Sequence, residues 1–169
     1  MASFGLASST TPTGPAVETG PVDVATIFSA ASEGNLALLQ SSMSQLNFAV
    51  TTADENGYTL IHAAASYNQL AILKFILDNL DRSNINCTAF INTSDNEGDT
   101  ALHYAGSADV ARMLVAGRID TKIVNIQGKT ALQAKKEELD EMMQDEDTEE
   151  DDEDVEVAQK LIEYLSSLP

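Results

Sequence analysis

The chain has 169 residues, of which 43% are hydrophobic, and its formal net charge is −18. This length suits one compact domain with tails, and no apolar run approaches the roughly 18 residues typical of a membrane-spanning helix. One cysteine excludes an internal disulfide and fits a reducing compartment, while the acidic balance disfavours nucleic acid and anionic membranes as direct ligands.

The N-terminal part of the chain changes character near residue 21. Residues 1–20 are rich in Ser, Thr, Pro and Gly and have no periodicity, which predicts disorder. Apolar residues then recur at helical spacing, and residues 30–39 match residues 64–73 at six of ten positions. Because these segments lie 34 residues apart, we expect residues 21–43 to form the first helix pair of a repeat.

A short motif occurs three times downstream of this helix pair. Residues 57–64 read Gly-Tyr-Thr-Leu-Ile-His-Ala-Ala, residues 98–105 read Gly-Asp-Thr-Ala-Leu-His-Tyr-Ala, and residues 128–134 read Gly-Lys-Thr-Ala-Leu-Gln-Ala. The glycine suits a turn with positive φ, and the threonine suits a helix N-cap. This pattern resembles the ankyrin repeat, whose signature is Thr-Pro-Leu-His-x-Ala on a period of about 33 residues.

The resemblance implies an all-α solenoid of about four helix-turn-helix repeats joined by short hairpin-like loops. We place the domain at residues 21–168, with repeats at about 21–53, 54–93, 94–124 and 125–168. Residues 81–90 are an insertion, expected to lengthen the second helix of repeat two or to form a loop after it. In repeat three the end of the first helix and the following turn are trimmed at residues 104–109.

The last repeat is interrupted by acidic residues. Residues 137–156 contain 14 acids, and residues 137–169 together have a net charge of −14. Beyond them, apolar residues return at helical spacing up to Leu168. We interpret residues 137–156 as a mobile insertion between the two helices of repeat four, because the final apolar stripe otherwise has nothing to bury against. The alternative is a free acidic tail that ends in an unrelated helix.

The sequence pattern favours structural roles for the side chains that could be catalytic. His62 and His103 could be metal ligands or general bases, but the family motif implies hydrogen bonds to the threonine and turn backbone of their own repeats. Cys87 has no second cysteine or histidine near it in sequence, so a hydrolase or redox role requires the fold to bring a histidine close. The sequence has no phosphate-binding glycine loop, nucleophile elbow or metal-ligand spacing, so we predict a non-enzyme without a cofactor or metal. The residues expected to maintain the repeats are Gly57, Thr59, His62, Gly98, Thr100, His103, Gly128 and Thr130.

The predicted binding surface also follows from the resemblance. In ankyrin proteins the loops before the Gly-x-Thr turns project as fingers and line a concave face together with the first helices. Two of the three fingers are acidic here, which favours a basic or polar protein partner, and tyrosines are common at binding hot spots. Residues 95–98 could instead be present only because their side chains favour a tight turn. The candidate partner-binding residues are Asp54, Glu55, Asn56, Tyr58, Tyr67, Asp95, Asn96, Glu97, Asp99, Tyr104, Asn125, Gln127 and Lys129.

These observations predict a monomeric, cytoplasmic or nuclear protein-protein interaction module that binds its partner through the concave surface. One alternative is an escort for a basic protein, such as a ribosomal protein or histone, held by the acidic segment. Another is a regulatory subunit or inhibitor of an enzyme. The acidic segment could also be only solubilising disorder.

Overall fold

The computed structural model describes residues 23–82, 87–144 and 153–169. The predicted disordered segment at residues 1–20 lies outside the described residues, as do residues 145–152 of the predicted insertion. The described residues form eight helices: α1 (Val24–Ser32), α2 (Leu36–Leu46), α3 (Leu60–Ser66), α4 (Leu70–Arg82), α5 (Cys87–Ile91), α6 (Ala108–Ala116), α7 (Ala131–Met142) and α8 (Glu153–Ser166).

The helices pack as successive layers. Helix α1 pairs with α2, α3 with α4, and α7 with α8, while α1 contacts α3, α4 contacts α6, and α6 contacts α8. Extended backbone among the described residues is confined to isolated antiparallel bridges at the bases of three loops, Ala53 with Thr59, Ser94 with Thr100, and Val124 with Thr130. The predicted all-α stack of helix pairs is therefore confirmed.

One hydrophobic core runs through the stack. Helix α3 is short and buried on every side, with alanines at positions 63–65 that let neighbouring layers approach closely. Helix α4 turns a stripe containing Ile72, Ile76 and Leu80 toward the core, at the four-residue spacing of one helical face. The same core reaches Leu161 and Leu165 in α8. Helix α8 thus shares the core of the preceding layers.

Repeats two and three both depart from a regular helix pair. In repeat two, α4 extends to Arg82 and α5 follows it, where Phe90 and Ile91 are buried. In repeat three, residues 101–104 form turns instead of a first α-helix. The Gly106 N–H donates to the Ala65 carbonyl at 3.2 Å, so the trimmed backbone lies directly on the end of α3.

The structure differs from the prediction at the acidic segment of the last repeat. Helix α7 continues to Met142 and α8 begins at Glu153, so residues 137–142 and 153–156 of the predicted insertion are helical. The extra helical length has local support, because Glu137 and Glu138 form ion pairs with lysines in the same region, and Leu139 and Met142 are half-buried. Acidic composition alone therefore predicted an insertion that is too long at both ends.

Candidate functional site

Three loops, which we call the fingers, precede the helices of repeats two to four at residues 53–59, 94–100 and 124–130. In the first, the Asp54 Oδ1 accepts the backbone N–H groups of Asn56 at 2.8 Å and Tyr58 at 2.9 Å. Asp95 and Asn125 close the other two fingers in the same way. One side-chain oxygen of each of these residues is therefore committed to the turn.

Adjacent fingers are joined by backbone hydrogen bonds, which we call the finger ladder. The N–H of Asn96 donates to the carbonyl of Asn56 at 2.8 Å, and the N–H of Ile126 donates to the carbonyl of Glu97 at 2.9 Å. The Asn96 side-chain amide also donates to the Glu55 carbonyl at 3.1 Å. The ladder orients the three fingers in one row.

The two histidines bond to the fingers, His62 from helix α3 and His103 from the turns at residues 101–104. The Nδ1 of His62 accepts the N–H of Thr59 at 3.1 Å, and the Nδ1 of His103 accepts the N–H of Thr100 at the same distance. His103 also bonds through Nε2 to the Lys129 carbonyl of the next finger, in addition to the predicted bonds to Thr100 in its own repeat. Both rings are buried, which suits a structural role.

An aromatic cluster surrounds His62. The ring of Tyr58 stacks on His62 at a centroid distance of 5.4 Å, and Tyr104 packs edge-on against Tyr58 at 5.2 Å and against His62 at 5.7 Å. The Tyr104 hydroxyl donates to the Asp95 Oδ2 at 2.7 Å. Burial raises the pKa of Tyr58 to about 12. Burial and the hydrogen bond to Asp95 raise the pKa of Tyr104 as well, so both phenols are neutral hydrogen-bond donors at neutral pH.

A cavity of about 440 Å³ lies between the first two fingers beside this cluster. We call it the tyrosine-carboxylate pocket, and its lining combines two tyrosines, three acids and two amides, with no basic residue among them. The lining residues are Asp54, Asn56, Tyr58, Asp95, Asn96, Glu97 and Tyr104. Every one of them belongs to the predicted partner-binding set, so the fold brings this part of the set together.

The other predicted residues lie apart from the pocket lining. Tyr67 is 59% exposed at the end of α3. Asp99 accepts a hydrogen bond from the Asn125 side chain, and Lys129 forms an ion pair with Glu137. Glu55 and Gln127 are exposed at the tips of the first and third fingers. The predicted set therefore comprises one pocket, further finger positions and Tyr67 at the end of α3.

Sequence reasoning missed that the tyrosines and His62 form one cluster. Tyr58 lies four residues before His62, and this spacing indicates proximity across the turn into α3. Tyr104 comes from another repeat, and no spacing within the sequence relates its ring to His62.

The hypothesis of a cysteine-histidine pair lacks a shared pocket. Cys87 lines a second cavity, of about 510 Å³, whose lining comes from α4, α5, α6 and the loop after α6. Neither His62 nor His103 lines that cavity. Within the described ranges, no group of three or more His, Cys, Asp or Glu side chains is placed to hold a metal ion, and no helix there is long and apolar enough to cross a membrane.

Comparison with known proteins agrees with the repeat architecture. The family model "Ankyrin repeats (3 copies)" matches residues 27–125, which is more than half of the chain. An ankyrin repeat-containing protein of Schizosaccharomyces pombe is 32% identical over 108 residues, covering 63% of this chain and 48% of that protein. The chain therefore spans about half the length of the curated relative that it matches. Repeats of this kind are generally protein-protein interaction modules. With the paired helices, the finger ladder and the Thr-x-x-His caps, the match shows that this chain belongs to the ankyrin-repeat family.

Proposed function

We propose that the chain is a non-enzymatic protein-binding module, and that the tyrosine-carboxylate pocket receives a lysine or arginine side chain of its partner. One observation carries the proposal, namely the pocket lining of three acids and two tyrosines without a cation. A basic side chain supplies the charge that this lining lacks. The fingers and first helices around the pocket supply the remaining contact surface.

The pocket has oxygen atoms available for such a ligand. Asp54 and Asp95 each use Oδ1 for the turn, and Asp95 Oδ2 already accepts the Tyr104 hydroxyl. Asp54 Oδ2 and the Glu97 carboxylate accept no hydrogen bond and form no ion pair within the described part of the chain. A cation between them gains charge-assisted hydrogen bonds, and a cation over a tyrosine face adds about 0.5–1 kcal/mol at an exposed site.

Removing the two carboxylates that have oxygens available for a ligand, while keeping the shape of the pocket, tests this proposal. Asp54→Asn should preserve the finger, because Asn125 closes the third finger through the same side-chain oxygen. We combine it with Glu97→Gln and compare the double variant with wild type in affinity purification from cell extract, quantifying bound proteins by mass spectrometry. The expected result is selective loss of the proteins that wild type recovers.

The matched control is Asp140→Asn with Glu141→Gln, which removes the same charge from exposed positions on α7. This control should recover the wild-type set of proteins. Unchanged recovery by the pocket variant would contradict the proposal. Equal loss with both variants would show that overall charge and not the pocket determines binding.

A second candidate function is escort of a basic protein by the acidic C-terminal region, and its support is the net charge of −14 over residues 137–169. Because residues 137–142 and 153–156 belong to helices, the variant should replace only residues 145–152 with a Gly/Ser linker. If the escort function is correct, this variant loses its clients and wild type releases them steeply as salt rises. A partner anchored in the tyrosine-carboxylate pocket should remain bound to the linker variant.

A further inference from the structure

The third finger has an edge that the finger ladder leaves open. Asn56 and Glu97, each placed just before the finger glycine, accept an N–H from the following finger through their carbonyl oxygens. Gln127 occupies this position in the third finger. Its carbonyl receives no hydrogen bond from the residues that the structure describes. The ladder thus ends on an acceptor that is in register for one more donor.

The finger glycines show the same open edge. A Cβ atom on Gly57 would lie 3.1 Å from the Cα of Asp95, and a Cβ atom on Gly98 would lie 2.9 Å from the nitrogen of Ile126. Around Gly128, in contrast, no atom of the described chain beyond Gly128 and its two chain neighbours comes within 4 Å of that position. The first two fingers are covered by the next backbone, and the third has room for one.

The side chains at this edge are apolar. Ile126 is 75% exposed and Val124 is 50% exposed. The matching positions hold Glu55 and Asn96 in place of Ile126. Repeats at the end of a solenoid usually present a polar outer face. Apolar residues at the finger without a covering neighbour therefore indicate an interface.

The third finger has a small local excess of positive charge, although the whole chain carries −18. Residues 118–136 contain five basic residues and one acid. Lys129 and Lys135 form ion pairs with Glu137 and Glu138, and the other three basic residues are Arg118, Lys122 and Lys136. Lys122 is exposed two residues before Val124. This local excess of positive charge complements an acidic ligand and disfavours a basic one.

From these observations we infer that the open edge binds an extended segment of a partner protein that carries apolar and acidic side chains. The segment donates a backbone N–H to the Gln127 carbonyl and so adds a rung to the finger ladder, as in strand addition to a sheet edge. Its apolar side chains cover Val124 and Ile126, and its acids face Lys122. This surface differs in position and charge from the tyrosine-carboxylate pocket, so either assignment can fail without the other.

Selection from a random library of displayed peptides tests the inference with a defined probe. Wild type is the bait, and the counter-selection bait carries Val124→Ser and Ile126→Asn. These substitutions install the side chains that the second finger holds at positions 94 and 96, so the variant should keep the fold. Enriched peptides should alternate apolar and acidic residues and should bind the variant at least roughly tenfold more weakly, because their apolar contacts are lost.

The rung itself is tested with the enriched peptide and its backbone N-methylated forms. Methylation of one particular N–H should weaken binding by roughly three- to tenfold, the net effect of one hydrogen bond. The unmodified peptide should shift the carbonyl carbon resonance of Gln127. The inference is overturned if no peptide distinguishes the two baits, if the distinguishing peptides are basic, or if no single methylation weakens binding.

Discussion

The Nε2 atom of His103 lies 3.1 Å from the carbonyl oxygen of Lys129 and links one repeat to the finger of the next. Because its Nδ1 accepts the Thr100 N–H, the neutral ring carries its proton on Nε2 and donates it to that carbonyl. His62 repeats the Nδ1 bond, but its buried Nε2 has no hydrogen-bond partner among the described residues. The two histidines therefore share one motif and differ in how completely it is satisfied.

The buried ring of His62 should make stability depend on pH. Burial lowers the pKa of His62 from its usual 6.5, so protonation costs more in the folded chain than in the unfolded chain. As pH falls below 6.5, the unfolded state binds more protons and the free energy of unfolding should decrease until the folded pKa is passed. His62→Gln should reduce this slope. Urea unfolding at a series of pH values measures it.

The His62→Gln variant has a natural precedent in repeat four. There Gln133 accepts the N–H of Thr130 at 2.9 Å through its side-chain oxygen, so glutamine can cap this helix type. The variant should therefore fold. Identical slopes below pH 6.5 for both proteins would assign the pH dependence to other groups.

A pair of glycine substitutions isolates the contribution of finger contacts to stability. Gly98 has φ +81° and Gly128 has φ +74°, so alanine should cost about 1 kcal/mol at either site through backbone strain alone. Only at Gly98 would the new Cβ meet the backbone of the next finger, 2.9 Å from the Ile126 nitrogen. Gly98→Ala should therefore lower the free energy of unfolding by about 1 kcal/mol or more beyond Gly128→Ala. Equal losses in urea unfolding would contradict close packing of the fingers.

Local chemistry allowed the turns to be predicted, and the resemblance to ankyrin repeats implied that they project as fingers. Glycine at the positive-φ position and threonine before the helix are requirements of the turn itself, so Gly57 and Thr59 identify the turn without any tertiary information. The acids of the tyrosine-carboxylate pocket were proposed as binding residues from the same resemblance, with a role in the turn as the alternative for residues 95–98. The observed hydrogen bonds show that Asp54 and Asp95 each use one oxygen to close the turn.

Two features were not predicted, namely the ends of α7 and α8 and the position of Tyr104. The acidic composition suggested a mobile segment at residues 137–156, whereas glutamate is a good helix former and Glu137 pairs with Lys129. Tyr104 lies two residues before Gly106, whose N–H donates to the Ala65 carbonyl 41 residues earlier in the chain. Neither contact leaves a periodic signal in the sequence.

The hydroxyl of Tyr104 should stabilise the pocket. Tyr104→Phe removes its hydrogen bond to the Asp95 carboxylate, and we expect the free energy of unfolding to fall by about 1–2 kcal/mol. Tyr67→Phe is the control, because Tyr67 is exposed and its hydroxyl makes no hydrogen bond within the described residues. Urea unfolding of both variants tests the difference. A loss in Tyr67→Phe as large as that in Tyr104→Phe would contradict a specific role for the hydrogen bond.

Helix α8 should be an integral part of the domain although an acidic connection precedes it. Leu161 is 2% exposed and lies in the common core, so Leu161→Ala should lower the free energy of unfolding by about 3 kcal/mol through lost burial and cavity formation. Met143→Ala, at a side chain that is 37% exposed beside the connection, should change it by no more than about 0.5 kcal/mol. Denaturant unfolding followed by circular dichroism compares the two variants. Similar small effects would mean that α8 packs only peripherally, which would support the alternative of an acidic tail ending in an unrelated helix.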